Sequence, residues 1–203
     1  MNQITDPAAL RAHFGEPSER AVRKQLDRLD AHCRAFIALS PFLVLASADG
    51  AGGVDASPRG DAPGFVKIID DHTLLLPDRP GNRRIDSLQN IVEHPGVGLI
   101  FFVPGIDETV RVNGTARIVT DADLLADVAA QGKIPTTGLL ITVAEAYYHC
   151  AKALIRSKLW HPATRIERKS FPSLGQILVD QLGGTTVAEA DASLEEAYRT
   201  KLY

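Results

Sequence analysis

Two short stretches carry the residues best suited to chemistry, and each contains arginine. The first, SPRGDAPGFV at 57–66, sets Arg59 and Asp61 among two prolines and two glycines just before an apolar run. Pro58 and Pro63 restrict the backbone to extended conformations, and Gly60 lets it approach a flat ligand with no side chain in the way. Ser57, Pro58, Arg59, Gly60 and Asp61 are therefore candidate binding residues, with Arg59 reaching a carbonyl or an anion. The plainer alternative is a surface turn in which Arg59 and Asp61 pair with each other and with solvent. The second stretch is PDRPGNRRIDSL at 77–88. Asn82, Arg83 and Arg84 fall where a glycine-containing loop turns into a helix, so that N–H groups of the helix start and two guanidinium forks can converge on one phosphate. Cations in a first helical turn oppose the helix dipole, which argues for a ligand there over a merely solvated basic helix start. Together the two stretches read as two lips of one pocket.

Other chemistries find less support. The six histidines at 13, 32, 72, 94, 149 and 161 put no two on one helical face and have no neighbouring cysteine or carboxylate cluster, so no metal site is expected. Ser47 and Ser57 lack the G-x-S-x-G elbow of a hydrolase nucleophile. A Walker loop and a G-x-G-x-x-G fingerprint are absent, so any nucleotide must be held another way. His149 and Lys152 follow a strand end and begin a helix, where side chains can point into a mouth, and they are candidates for the substrate side. For His149 packing alone is the competing role.

The elements that would position these residues form a mixed pattern. Ser18 is placed to cap one helix over SERAVRKQLDRLDAHCRAFIALS, with Val22, Leu26, Leu29, Cys33 and Phe36 in one apolar stripe. Short strands follow Pro41: FLVLASA, FVKII, TLLLP, VGLIFFV and TVRVNGTARIVT, the last with Val110, Val112, Ala116 and Ile118 on one side and Thr109, Arg111, Asn113, Thr115 and Arg117 on the other. NRRIDSLQNIVEHP predicts a short helix with Ile85, Leu88 and Ile91 or Val92 inward. TDADLLADVAAQG predicts another, started by Thr120 and Asp123 at capping-box spacing and stopped by Gly132. GLLITVAEAYYH is extended again and leads into CAKALIRSKLW, and VAEADASLEEAYRTKLY is an amphipathic helix. Short strands with turn signals and one or two interrupting helices predict an antiparallel barrel or strongly curled sheet with peripheral helices.

Composition bounds the same reading. The 203 residues are 45% hydrophobic and 23% charged, enough for one sizeable core. The expected organisation is a single domain over 1–203, with a helical segment at 1–40, the barrel at 41–160 and an extension with a helix at 161–203. A net charge of -3 gives no electrostatic reason to bind nucleic acid or an anionic membrane. Two cysteines, Cys33 and Cys150, are too few for a disulfide framework, and no signal peptide or spanning run is seen, which predicts a cytoplasmic protein.

With these residues in view, the sequence resembles the pyridoxamine 5'-phosphate oxidase-like flavoproteins, the FMN-binding split barrels. ASPRGD, PGNRRIDSLQNIVEHPGVGLIFFVPG and TVRVNGTA carry the resemblance over about residues 38–120, with a weaker continuation through HCAKALIRSKLW. The family has an S-x-R strand along the flavin, matched by Ser57 and Arg59. Its later S-R-K, which holds the phosphate, is matched as N-R-R by Asn82, Arg83 and Arg84. Its Q-V-R-V-x-G strand near the ring is matched by 109–114, with Thr109 in place of glutamine and Arg111 retained. A late tryptophan near the cofactor corresponds to Trp160, and an arginine there to Arg165 or Arg168. The vitamin-processing oxidases follow their strand arginine with an apolar run ending in a lysine. Here GDAPGFVK inserts glycine, aspartate and proline, which shifts the register of Lys67.

The resemblance implies an α+β, mainly β, antiparallel split barrel and a homodimer with FMN at the interface. It implies flavin redox chemistry on a small molecule, in which Arg59 or Arg111 stabilises charge on the reduced ring. Two alternatives stay open: a flavin carrier or sensor without turnover, and a deazaflavin-dependent reductase on the same scaffold.

Overall fold

A computed structural model describes residues 2–203. Its centre is one seven-stranded antiparallel sheet with the order β2-β1-β5-β6-β7-β4-β3. The strands are β1 (Phe42–Ala48), β2 (Val54–Gly60), β3 (Lys67–Asp70), β4 (Thr73–Pro77), β5 (Gly96–Phe102), β6 (Thr109–Val119) and β7 (Gly138–His149). Helices α1 (Pro7–Phe14), α2 (Glu19–Arg23) and α3 (Ala31–Leu39) precede the sheet, α4 (Asp86–Glu93) and α5 (Ala122–Ala126) interrupt it, and α6 (Lys152–Ser157), α7 (Leu174–Leu182) and α8 (Val187–Thr200) follow it. The antiparallel split barrel with peripheral helices expected from the sequence is the observed fold.

Period-two patterning builds the sheet. Leu43 and Leu45 of β1, Val97, Leu99 and Phe101 of β5, Val110 and Val112 of β6 and Ala146 of β7 all turn to one side and form the core with Leu29, Cys33, Phe36 and Ile37. β4 is buried on both faces, because Leu125 and Val128 cover Leu75 from outside while Leu74 and Leu76 enter the main core. Residues directly opposed in an antiparallel ladder share a face. One row therefore runs Arg59–Leu43–Phe101–Val110–Tyr148 on the inner face, and the next, Pro58–Val44–Ile100–Arg111–Tyr147, on the outer face. β6 and β7 shift register between Asn113 and Gly114. Gly114 is required there, since a Cβ would lie 1.9 Å from the carbonyl oxygen of Thr142.

Three local expectations are corrected. The helix over 18–40 is two helices, because Leu26 exchanges both backbone hydrogen bonds with Ala146 of β7 and Asp30 then caps α3 by accepting from the Cys33 N–H. Val22 consequently lies outside the stripe, exposed. α5 is capped by Asp121 and not by Thr120, its carboxylate accepting from the Leu124 N–H, and the helix ends at Ala126, well before Gly132. Ile85 is exposed with φ +55, so α4 begins at Asp86 and its apolar contacts with the sheet come from Leu88 and Ile91, not from Ile85 or the exposed Val92.

Candidate functional site

The sheet curls until the end of β2 faces the chain leaving β4. β2 is an edge strand, which is where proline is tolerated, since no ladder hydrogen bond is lost on the free side. Its alternation puts Asp55, Ser57 and Arg59 on the inner face. The gap between β2, the loop after β4 and the start of α4 is a cavity of about 1260 Å³. Small-molecule pockets span roughly 300–1,000 Å³, so a cofactor-sized ligand fits with room beside it. Ser57, Pro58, Arg59, Gly60 and Asp61 line one side, and Asn82, Arg83 and Arg84 the other.

Charge order zips the two sides together. Arg59 pairs with Asp78 at 2.5 Å, and Asp61 with Arg79 at 2.7 Å, so R-x-D on one strand end meets D-R on the other. Arg59 and Asp61 therefore do not pair with each other. The Asp61 side chain is only 4% exposed. Burial alone would raise its pKa, but the Tyr203 hydroxyl, the Ala62 N–H and Arg79 together outweigh that and hold its carboxyl below the usual range. On the cavity wall Ser87 donates to Asp55 at 2.5 Å, and outside the lining Asn90 donates to Ser47 at 3.0 Å, fixing α4 against β1 and β2.

Arg59 and Arg83 both keep donors open to a ligand. The Nε of Arg59 is buried without a hydrogen-bond partner, a costly state that a ligand acceptor would relieve. Arg83 makes no ion pair or side-chain hydrogen bond among the described residues, whereas Arg84 pairs with Asp86 at 2.8 Å. Arg83 and Ile85 both hold positive φ, at 60° and 55°, and the Asn82 side chain accepts from the Arg84 N–H at 3.0 Å. Left-handed backbone at non-glycine residues costs free energy and clusters at binding sites. An orphaned guanidinium Nε, a free guanidinium and a constrained loop suit an anionic, planar ligand such as a flavin phosphate ester.

The remaining candidates do not join this cavity in one chain. Thr109 is buried at the end of β6, opposite His149, and Arg111 stacks over the Tyr147 ring at 5.3 Å on the outer face. Trp160 donates to the carbonyl of Ile106 at 2.9 Å. His149 and Lys152 are exposed at the same end of β7. The register explains the division: Arg59 and Arg111 are on opposite faces of one sheet. Sequence reasoning missed Asp55, Asp78, Arg79 and Ser87, although the mirrored charge order of RGD and DR was a readable signal. It also missed the segment Thr200–Tyr203, which lines the same cavity.

A family model for pyridoxamine 5'-phosphate oxidase matches residues 29–150, from the approach to α3 to the end of β7, and the chain belongs to that family. No curated protein sequence matches it. Similar solved structures include HupZ of Group A Streptococcus, at 21% identity over 59% of this chain and 92% of that one, TM-score 0.47. An FMN-binding protein of Syntrophomonas wolfei is 13% identical over 70% of this chain and 96% of that one, TM-score 0.47. General Stress Protein 26 of Bacillus anthracis is 16% identical over 56% of this chain and 88% of that one, TM-score 0.43. No helix among the described residues is long and apolar enough to cross a membrane, and no group of three metal-ligating side chains is found among them.

Proposed function

We propose that the cavity binds FMN and that the protein is an oxidoreductase acting on a small molecule. The observation that carries this reading is the convergence of Arg59, its Nε orphaned, and the Asn82–Arg84 loop on one cavity. Bound there, the flavin would supply the electron or hydride transfer. Arg83 and the loop amides hold the phosphate, Ser57 and the bare backbone at Gly60 flank the ring, and Arg59 presents positive charge where a reduced ring gathers negative charge. The carboxylates Asp61, Asp78 and Asp86 are already engaged by arginines. In this reading the cavity binds and polarises its ligand.

A second copy completes the site in this reading. The exposed surface of the chain is 13500 Å², against about 9,300 Å² expected for a compact monomer of this mass. That excess exceeds the roughly 1,000–2,500 Å² per partner that an obligate dimer covers, so a second copy has surface to bury. The outer sheet face offers an apolar patch beside the cavity, formed by Phe42, Val44, Ile100 and Phe102 next to Pro58. Packing this face against a second copy brings the partner's Arg111 row toward the first chain's β2 edge. Sedimentation should then give twice the 21.9 kDa chain mass, and Ile100→Asp should give monomers.

The visible spectrum of the purified protein, before and after FMN and dithionite, tests the reading. Flavin bands that bleach on reduction and vanish in the Arg83→Ala, Arg84→Ala variant are expected. A colourless protein indifferent to FMN overturns it. Mass spectrometry of the extracted cofactor separates FMN from a deazaflavin, and steady-state NADPH oxidation with candidate acceptors separates an enzyme from a carrier.

A further inference from the structure

One wall of the cavity does not come from the barrel. The last residues of the sequence, Thr200–Tyr203, run from the end of α8 into the cavity and line it beside Arg59 and Asp61. Tyr203 is held at three points. Its hydroxyl donates to Asp61 Oδ1 at 2.6 Å, its carbonyl oxygen accepts from Lys133 Nζ at 2.7 Å, and Arg79 lies 5.7 Å from its ring centroid. Asp61 divides its two oxygens between this phenol and Arg79. The same carboxylate that zips β2 to the chain after β4 therefore also docks the segment. Because the phenol proton is held by Asp61, first, and the ring is shielded, the Tyr203 hydroxyl is pushed above the ordinary tyrosine range.

The helices that lead to this wall are weakly tied to the barrel. α7 and α8 pack on each other, with Asp191 accepting from the Gly175 N–H and the Ser173 hydroxyl. Gly175 is their only buried residue, so no apolar side chain of either helix is sunk in the barrel core. Segments with few buried apolar contacts open at low free-energy cost. A helical arm so loosely seated leads into a segment that lines a cavity large enough for a cofactor and is docked there on a buried carboxylate and a lysine.

We propose that Thr200–Tyr203 is a latch on this cavity: docked on Asp61 and Lys133 it closes over bound flavin, and undocked it admits and releases it. The proposal rests on the flavin reading of the cavity. A latch gates passage in both directions, so weakening it speeds entry and release together and changes the equilibrium affinity less than either rate. That pattern separates a gate from a simple ligand contact, whose loss speeds release alone.

The experiment measures FMN association and dissociation by stopped-flow flavin fluorescence on the full chain, for wild type, Tyr203→Phe and Lys133→Ala. Tyr203→Phe removes one hydroxyl and keeps the ring, so the fold is preserved. Lys133 lies outside the cavity lining and tests the same latch from its other anchor. Both variants should raise both rates about tenfold with the circular dichroism spectrum of the flavin-free protein unchanged. Rates within twofold of wild type in both variants, or release alone accelerated, overturn the latch and leave the flavin site standing. Failure of wild type to bind FMN overturns both readings.

Discussion

Arg59→Ala separates what the inner-face arginine does for the fold from what it does for a ligand. Arg59 and Asp78 are 17% and 27% exposed and pair at 2.5 Å. Breaking a fully buried pair costs about 3–5 kcal/mol, and an exposed pair contributes about 1 kcal/mol or less. The intermediate exposure puts the loss at about 1–2 kcal/mol, and Asp78→Ala should cost a similar amount, with the double variant less destabilised than the sum. Toward FMN the two variants should diverge. A hydrogen bond from a charged donor contributes about 1.5–3 kcal/mol, so loss of the unpartnered Nε should raise Kd roughly 10- to 150-fold. Asp78→Ala, which leaves that donor in place, should change Kd less than about threefold. Urea denaturation and a fluorescence titration of FMN on the same samples measure both quantities. Equal weakening of FMN binding by both variants would show that Arg59 acts only by holding the sheet ends together, and the ligand role would fall.

Four further outcomes follow from particular contacts. Asp61 has a folded-state pKa below its unfolded value, so its stabilisation is complete above about pH 4 and is lost as pH falls through the folded pKa; thermal melts of Asp61→Asn should show a flatter acid limb than wild type. Gly114→Ala forces a Cβ to 1.9 Å from the Thr142 carbonyl and should cost about 3 kcal/mol or more in chemical denaturation, or prevent folding. Burial, together with the Asp30 carboxylate, pushes the Cys33 thiol up to about 12, while Cys150 is exposed, so a thiol reagent should titrate one cysteine in the native protein and both in denaturant. Asp30→Ala removes the α3 cap bond to the Cys33 N–H and should cost about 1 kcal/mol in the same denaturation assay.

Much of the sheet was legible because its signals are local. Alternation in FLVLASA and TVRVN fixes which residues face the core, and the loop prolines and glycines mark where strands stop. The break at 24–30 was not legible, because its cause is the pairing of Leu26 with Ala146, far along the chain. Helical spacing on both sides of the break read as one stripe. The site was legible in halves for the same reason. SPRGD and GNRR announce themselves by composition, but that Arg59 pairs with Asp78 and Asp61 with Arg79 depends on how far the sheet curls. Tyr203 gave no local signal, since a tyrosine after an amphipathic helix reads as surface. The grouping of Thr109, Arg111 and Trp160 with the cavity came from motif order, and register places Arg111 on the opposite face of the sheet from Arg59.

The most direct test of the account compares FMN with riboflavin by isothermal titration into the purified protein. The two ligands share the ring and differ by the phosphate that Arg83 and the loop amides are proposed to hold. FMN should bind at least about 100-fold more tightly, the contribution of two or so charge-assisted hydrogen bonds, and the preference should collapse in Arg83→Ala. Equal affinities, or binding of neither, would contradict it.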